Sequence, residues 1–310
     1  MNIVFLDVKT IGDDVDLSGF DALGEVVKYN FTTKEEVPER VTDADVLVIN
    51  KIEINADTIS TAKNLKLVCV TATGTNNLDK AYLDSRGIAW RNVAGYSTES
   101  VAQHTFATLF YLLEKLRYYD EYVKEDRYTN DKMFTHFAEH FFELKGKTWG
   151  IIGLGNIGRR VAGIAEAFGC EVIYASASGS APQEGYTQVS LDELYERSDI
   201  ISVHAPLNEY TENLIDKHAL KKMKKSGIFL NLGRGPIVVE QDMADALNTG
   251  EISAAGLDVL CVEPMSPDNP LRKIKDSRKL YITPHIGWAS IEARTRLMKI
   301  IQGQIEEFFS

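Results

Sequence analysis

Four residues in the C-terminal half of the chain are of the types needed to move a proton on and off a hydroxyl group while an acid is held in place. Arg234 lies between glycines in Asn231-Leu232-Gly233-Arg234-Gly235, Asp258 closes an apolar run, Glu263-Pro264 follows five residues later, and His285 stands in Thr283-Pro284-His285-Ile286-Gly287-Trp288. Histidine titrates near neutrality, a carboxylate beside it favours its charged form, and arginine clamps a carboxylate through two parallel hydrogen bonds. Singly, each has a plainer explanation: a surface-loop arginine, a solvated loop carboxylate, a structural histidine. Their positions at or just beyond strand-like runs are where open α/β sheets place their sites. Together they form a complete set for transfer of hydride between a nicotinamide and a C–OH carbon, in which the cofactor does the rest.

The element that would bring such a cofactor lies upstream. Residues 148–160 read TWGIIGLGNIGRR, an apolar run into Gly153-Leu154-Gly155-Asn156-Ile157-Gly158 and then an amphipathic stretch. The order predicts a strand at Thr148–Gly153, a helix at Arg159–Phe168 and a second strand at Glu171–Tyr174. In such a βαβ opening Gly153 permits the turn, Gly155 lets backbone approach a pyrophosphate, and Gly158 lets helix pack on strand, with Asn156 and Ile157 of the same turn expected at the cofactor and the helix N-terminus offering free N–H groups to the phosphates. An acidic residue about 20 positions on normally binds the adenosine ribose. Here the tip reads Tyr174-Ala175-Ser176-Ala177-Ser178-Gly179, with neither a carboxylate to repel the extra phosphate of NADP nor an arginine to grip it. NAD is the expected cofactor, and NADP is also admissible.

These segments need a scaffold. Strand-like runs at Ile3–Phe5, Val46–Ile49, Leu67–Val70, Ile200–His204, Gly227–Leu230, Ala254–Asp258 and Tyr281–Thr283 join the two already named, separated by helical patterns. This alternation predicts an α/β chain of doubly wound parallel sheets. Because the glycine turn comes only near the middle, the preceding residues must form most of another domain. A last helix at Ser290–Phe309 has no strand to follow it and is expected to return there. The expectation is two Rossmann-like domains with an interdomain cleft: residues 1–98 plus 288–310 for substrate, and 99–287 for the dinucleotide. The run Leu112–Tyr128 (LLEKLRYYDEYVKEDRY) is expected to be one charged amphipathic helix, either solvated or a dimer contact.

Composition narrows the class. The 310 residues carry a formal charge of −11, which argues against nucleic acid as a main partner. No apolar run approaches a membrane span, and the opening MNIVFLDV lacks the features of a signal peptide, so a cytoplasmic protein without membrane attachment is expected. Cys69, Cys170 and Cys261 have no paired spacing and are expected to be reduced. His136-Phe137-Ala138-Glu139-His140 matches the H-x-x-E-H pattern of some zinc proteases, which requires both histidines on one helix face. It lies in the connector before the glycine turn, and no metal site is expected.

GLGNIG, LGRG, LDVLCVEP and TPHIGWAS occur here in the order and spacing of the D-isomer-specific 2-hydroxyacid dehydrogenases, which the whole chain resembles. Within that family, MNIVFLD, INKIEINADT, TATGTNNLD and NVAGYSTESVAQHTFA resemble the glycerate dehydrogenases, also called hydroxypyruvate reductases. The resemblance implies that Arg234 binds substrate, His285 is the general acid/base, and Glu263 pairs with it and favours its charged form. It implies that Lys51, Thr73, Gly74, Thr75 and Trp288 contact substrate. To the cofactor it assigns Ser176, His204, Pro206, Leu232, Gly233 and Asp258, besides the glycine turn. It further implies reduction of hydroxypyruvate or glyoxylate to D-glycerate or glycolate, by a homodimer. A D-3-phosphoglycerate or D-lactate-type dehydrogenase is the alternative, although the long C-terminal extension of many phosphoglycerate dehydrogenases is missing. Dinucleotide-sensing corepressors that resemble the family are the alternative outside catalysis.

Overall fold

The computed structural model describes residues 1–179 and 185–310. Two units divide the chain, Met1–Ser97 with Ala289–Ser310, and Thr98–Trp288.

The first unit is built on a parallel sheet of β1 (Asn2–Phe5), β2 (Glu25–Lys28), β3 (Val46–Ile49), β4 (Leu67–Val70) and β5 (Ala89–Arg91), in the order β2-β1-β3-β4-β5. All four residues of β3 and of β4 are buried, as expected for central strands covered on both faces. The edge strands β2 and β5 were not anticipated: neither contains a buried residue, so no buried apolar run marks them. Helices α1 (Val37–Arg40), α2 (Ala56–Ile59) and α3 (Lys80–Ser85) connect the strands. The C-terminal helix Ile291–Phe309 is capped by Ser290 Oγ, which accepts from the Ala293 amide. It buries Ala293, Leu297, Met298, Ile301 and Ile305, a stripe of helical period. Arg294 donates to the Ile11 carbonyl and pairs with Asp14, and Arg296 donates to the Tyr96 carbonyl.

The second unit opens with α4 (Thr98–Leu113) and α5 (Leu116–Lys124). The single helix expected over Leu112–Tyr128 is therefore corrected. Lys115 takes a left-handed conformation (φ 54°) and breaks the run. Leu112 and Leu113 belong to the core, whereas Leu116 and Val123 are exposed, so the apolar face changes phase at the break. A seven-stranded parallel sheet follows, of β6 (Thr148–Ile152), β7 (Glu171–Ala175), β8 (Thr187–Gln188), β9 (Ile200–Val203), β10 (Ile228–Asn231), β11 (Ala254–Leu257) and β12 (Leu280–Ile282). Its order is β12-β11-β10-β9-β6-β7-β8, with α6 (Asn156–Ala167), α7 (Leu191–Arg197), α8 (Lys217–Lys222) and α9 (Glu240–Thr249) between strands. Helix α6 starts three residues before the expected Arg159, directly on the glycine turn. Strand β8, only two residues long, was not anticipated.

The order reverses between β6 and β9, which makes this a topological switch point. Register then does the positioning. Ile152 pairs with Ala175 and Val203, Asn231 with Val203 and Leu257, and Leu257 with Ile282. The C-terminal ends of six strands are thus level, and the segments that follow them share one edge of the sheet. Helix α4 lies close against this sheet because Gly256 has no side chain; an added Cβ would come within 2.2 Å of Thr108 Cγ2. Trp149 packs against Phe106 (centroids 4.8 Å, rings tilted by 41°) and donates from Nε1 to Ser202 Oγ at 2.9 Å.

Candidate active site

The glycine turn is held by close backbone approach. Gly153 has φ +92°, and a Cβ there would lie 2.7 Å from the Ala205 nitrogen; one on Gly158 would lie 2.3 Å from the Gly153 carbonyl oxygen. A Cβ on Gly155 would meet nothing within 4 Å, so open space lies where a phosphate would approach. Gly155 caps α6 without a side chain, and the first turn holds no acid, which leaves backbone N–H groups and the positive end of the helix dipole for an anion. His204 follows β9, and its amide donates to the Ile152 carbonyl just before the turn. Its Nε2 lies 3.1 Å from Ser202 Oγ, which also accepts from Trp149 Nε1, so one ring nitrogen, Nδ1, is left for another partner. That Nδ1 is buried without a partner among the described residues, and burial pushes His204 down to about 3, keeping it neutral. A buried ring nitrogen with no partner among the described residues, beside an open glycine cradle, fits a dinucleotide. At the end of β7, Ser176 Oγ is 3.3 Å from Ser178 Oγ, and no carboxylate occupies residues 174–179. Pro206 is exposed after His204, and Ile157 packs on the core.

The loop after β10 carries Arg234. Asn231, fully buried, accepts from the Gly233 amide (3.0 Å) and donates to the Arg234 carbonyl (2.9 Å), folding the loop back on itself. Gly233 sits tight against the Ala205 carbonyl and Gly235 against Leu260, so neither position tolerates a side chain. Arg234 is half-buried, its Nη1 donating to the Gly233 carbonyl at 2.8 Å, and no carboxylate among the described residues pairs with it. Leu232 is buried beneath the loop.

His285 and Glu263 meet at 2.7 Å, Nδ1 to Oε2. An ionised carboxylate only accepts, so Nδ1 donates and Nε2 is the nitrogen left to exchange a proton with a ligand. Glu263 is itself fixed by the Leu260 amide, which donates to Oε1 at 3.0 Å. Asp258, assigned to the cofactor by resemblance, is bonded into the His285 loop. Its Oδ1 accepts from Thr283 Oγ1 (2.6 Å) and the Ile286 amide (2.8 Å), its Oδ2 from the Gly287 amide (2.8 Å), and its carbonyl from the His285 amide (2.8 Å). Burial works against its charge, but the hydrogen bonds from His104, Thr283, Gly287 and Ile286 outweigh it and hold the carboxyl below the usual range. Trp288 packs on the core of the same unit.

In the first unit, Lys51 and Thr73-Gly74-Thr75 follow β3 and β4, which end level (Ile49 pairs with Val70). Asp7, buried beyond β1, accepts from the Asn50 amide (2.9 Å) and the Lys51 amide (2.7 Å); burial raises its pKa against the lowering pull of those bonds. Thr73 is tied by Oγ1 to the Val93 carbonyl and by its own carbonyl to Asn92. The H-x-x-E-H segment, residues 136–140, is not helical. The His136 ring stacks on Tyr122 (centroids 3.9 Å, 11° apart) and Glu139 pairs with Arg278. No group of three potential metal ligands occurs among the described residues.

Residues 106–287 match the profile described as the NAD binding domain of the D-isomer specific 2-hydroxyacid dehydrogenases. The chain belongs to that family. The enzyme is 39% identical to a hydroxypyruvate reductase of Blautia hydrogenotrophica, over 99% of its own length and 97% of the relative's. It is 36% identical to a glycerate dehydrogenase of Methylorubrum extorquens, over 99% and 95% of the two chains. The crystal structure of a D-lactate dehydrogenase from Aquifex aeolicus, complexed with NAD and lactic acid, superposes on it with a TM-score of 0.86. That pair is 26% identical and covers 99% of this chain and 95% of that one. The enzyme is thus an NAD(P)-dependent oxidoreductase acting on the CH–OH group of 2-hydroxy acids. No helix among the described residues is long and apolar enough to cross a membrane.

Proposed function

We propose that this dehydrogenase reduces hydroxypyruvate and glyoxylate to D-glycerate and glycolate. The observation that carries the reading is the Glu263–His285 pair at 2.7 Å on the same sheet edge as an arginine that no described carboxylate neutralises. The bound nicotinamide supplies hydride to the keto carbon. His285, protonated and oriented by Glu263, delivers a proton from Nε2 to the keto oxygen, and Arg234 holds the substrate carboxylate. Gly153, Gly155, Asn156, Ile157 and Gly158 hold the pyrophosphate, with His204, Pro206, Leu232 and Gly233 around the rest of the cofactor. On the family resemblance, Lys51, Thr73, Gly74, Thr75 and Trp288 are kept as further substrate contacts. The similarity to a hydroxypyruvate reductase and a glycerate dehydrogenase supports this choice of acid. Kinetic constants over a panel of 2-keto acids test it; a markedly higher kcat/KM for pyruvate or phosphohydroxypyruvate than for hydroxypyruvate would replace it.

Glu263→Gln replaces the carboxylate that accepts from His285 Nδ1 and is expected to lower kcat for keto-acid reduction. An unchanged kcat would make Glu263 a loop residue only.

Both nicotinamide cofactors are expected to serve, with NADH slightly favoured. Ser176→Asp adds a charge that repels the extra phosphate and an acceptor for the ribose hydroxyls, and so weakens use of NADPH more than of NADH. An unchanged NADPH-to-NADH ratio of kcat/KM would remove Ser176 from the ribose.

The enzyme is proposed to work as a homodimer. Exposed apolar side chains concentrate in one segment, with Leu116, Val123, Met133, Phe137 and Phe141 around a Phe134 that is 90% exposed. Such clustering marks an association surface. Sedimentation should give a dimer, and Phe134→Asp with Phe137→Asp a monomer; a monomeric parent would overturn the proposal.

A further inference from the structure

Helix α4 grips the His285 loop at two points one helical turn apart. Ser100 Oγ donates to the Gly287 carbonyl at 2.7 Å, and His104 Nε2 lies 2.9 Å from Thr283 Oγ1. Residues at i and i+4 share a helix face, so both ends of the loop are held from one side. Donor inventory fixes the direction of the inner bonds. The Asp258 carboxylate can only accept, so Thr283 commits its single hydroxyl hydrogen to Oδ1, at 2.6 Å. Thr283 Oγ1 therefore accepts from His104, which must carry a hydrogen on Nε2. The same nitrogen stands 3.5 Å from Asp258 Oδ1. From Asp258 the chain of bonds passes to the Ile286 and Gly287 amides.

The loop needs such a hold. His285 lies at φ 56°, in the left-handed region, and a non-glycine residue stays there only where its surroundings over-determine it. Gly287 lets the loop seat directly on the pair, since an added Cβ would lie 2.8 Å from Asp258 Oδ2 and 3.5 Å from His104 Cδ2.

We propose that His104 is a positioning residue for the acid/base: acting through Thr283 and Asp258, it fixes the backbone of Ile286 and Gly287 and so the imidazole of His285 against Glu263. The consequence for turnover rests on the reading of His285 given above; the hold on the loop does not. Two readouts separate them, hydrogen exchange of the Ile286 and Gly287 amides in the protein without cofactor, and kcat for hydroxypyruvate. His104→Leu removes the donor and is expected to raise the exchange rates and lower kcat, each by about tenfold, with NADH affinity within about twofold of the parent. His104→Gln, whose amide can still donate to Thr283, should restore both. Should His104→Leu fail to fold, the near-isosteric Thr283→Val is compared with Thr283→Ser, and only the valine variant should show the two effects. Unchanged exchange in His104→Leu, or a glutamine variant as impaired as the leucine one, would overturn the proposal. Loosened amides in a protein whose parent reduces no 2-keto acid would uphold the hold on the loop and overturn the acid/base reading alone.

Discussion

Replacing His285 by alanine is expected to slow keto-acid reduction by about 10²–10⁴-fold while cofactor binding stays nearly unchanged. The size follows from losing the proton donor, and the selectivity from geometry: His285 is tied to Glu263 and to the Asp258 backbone, whereas the glycine turn and His204 follow different strands. Steady-state kinetics together with a nicotinamide-fluorescence titration check both halves. Near-normal turnover would remove His285 from the chemistry, and an equal loss of cofactor affinity would make its role structural.

Arg234→Lys is expected to cost almost as much, despite the retained charge. Lysine is a point charge on a flexible stem and cannot offer the two parallel donors of a guanidinium. The loop that presents Arg234 is rigid, with Asn231 bonded inside it and glycines pressed against Ala205 and Leu260 on either side, so a shorter reach is not recovered by movement of the backbone. The loss should fall on kcat/KM for keto acids, by about 10²-fold or more if both bonds to the carboxylate tighten in the transition state. Little change would mean that the carboxylate is held elsewhere, by Lys51 and the Gly74 loop.

What was legible in the sequence follows from what local chemistry can encode. Strands β3, β4 and β6 are buried on both faces and show as apolar runs, and the glycine turn shows because its contacts lie within a dozen residues or at a strand end. The edge strands β2 and β5 carry charged, exposed residues and have no such signature. The break at Lys115 was missed because a charged run looks helical whatever its phase, and the phase is set by which leucines the core accepts. Glu263 was legible as a carboxylate of the right type, but 22 residues separate it from His285, and it was the family resemblance that assigned it as the partner. Asn231, Asp7 and His104 escaped entirely. Each serves by accepting from or donating to groups that only folding brings near, such as the Gly233 amide, the Lys51 amide and the Thr283 hydroxyl. The H-x-x-E-H segment is a pattern whose meaning depends on a helix, and residues 136–140 form none.

The central claim is most directly tested by incubating the purified protein with hydroxypyruvate and NADH, following the nicotinamide absorbance band, and determining the configuration of the glycerate formed. The account predicts oxidation of NADH matched by D-glycerate. Formation of L-glycerate, or binding of NADH without turnover of hydroxypyruvate or glyoxylate, would contradict it, and the second result would point to a dinucleotide-sensing protein in its place.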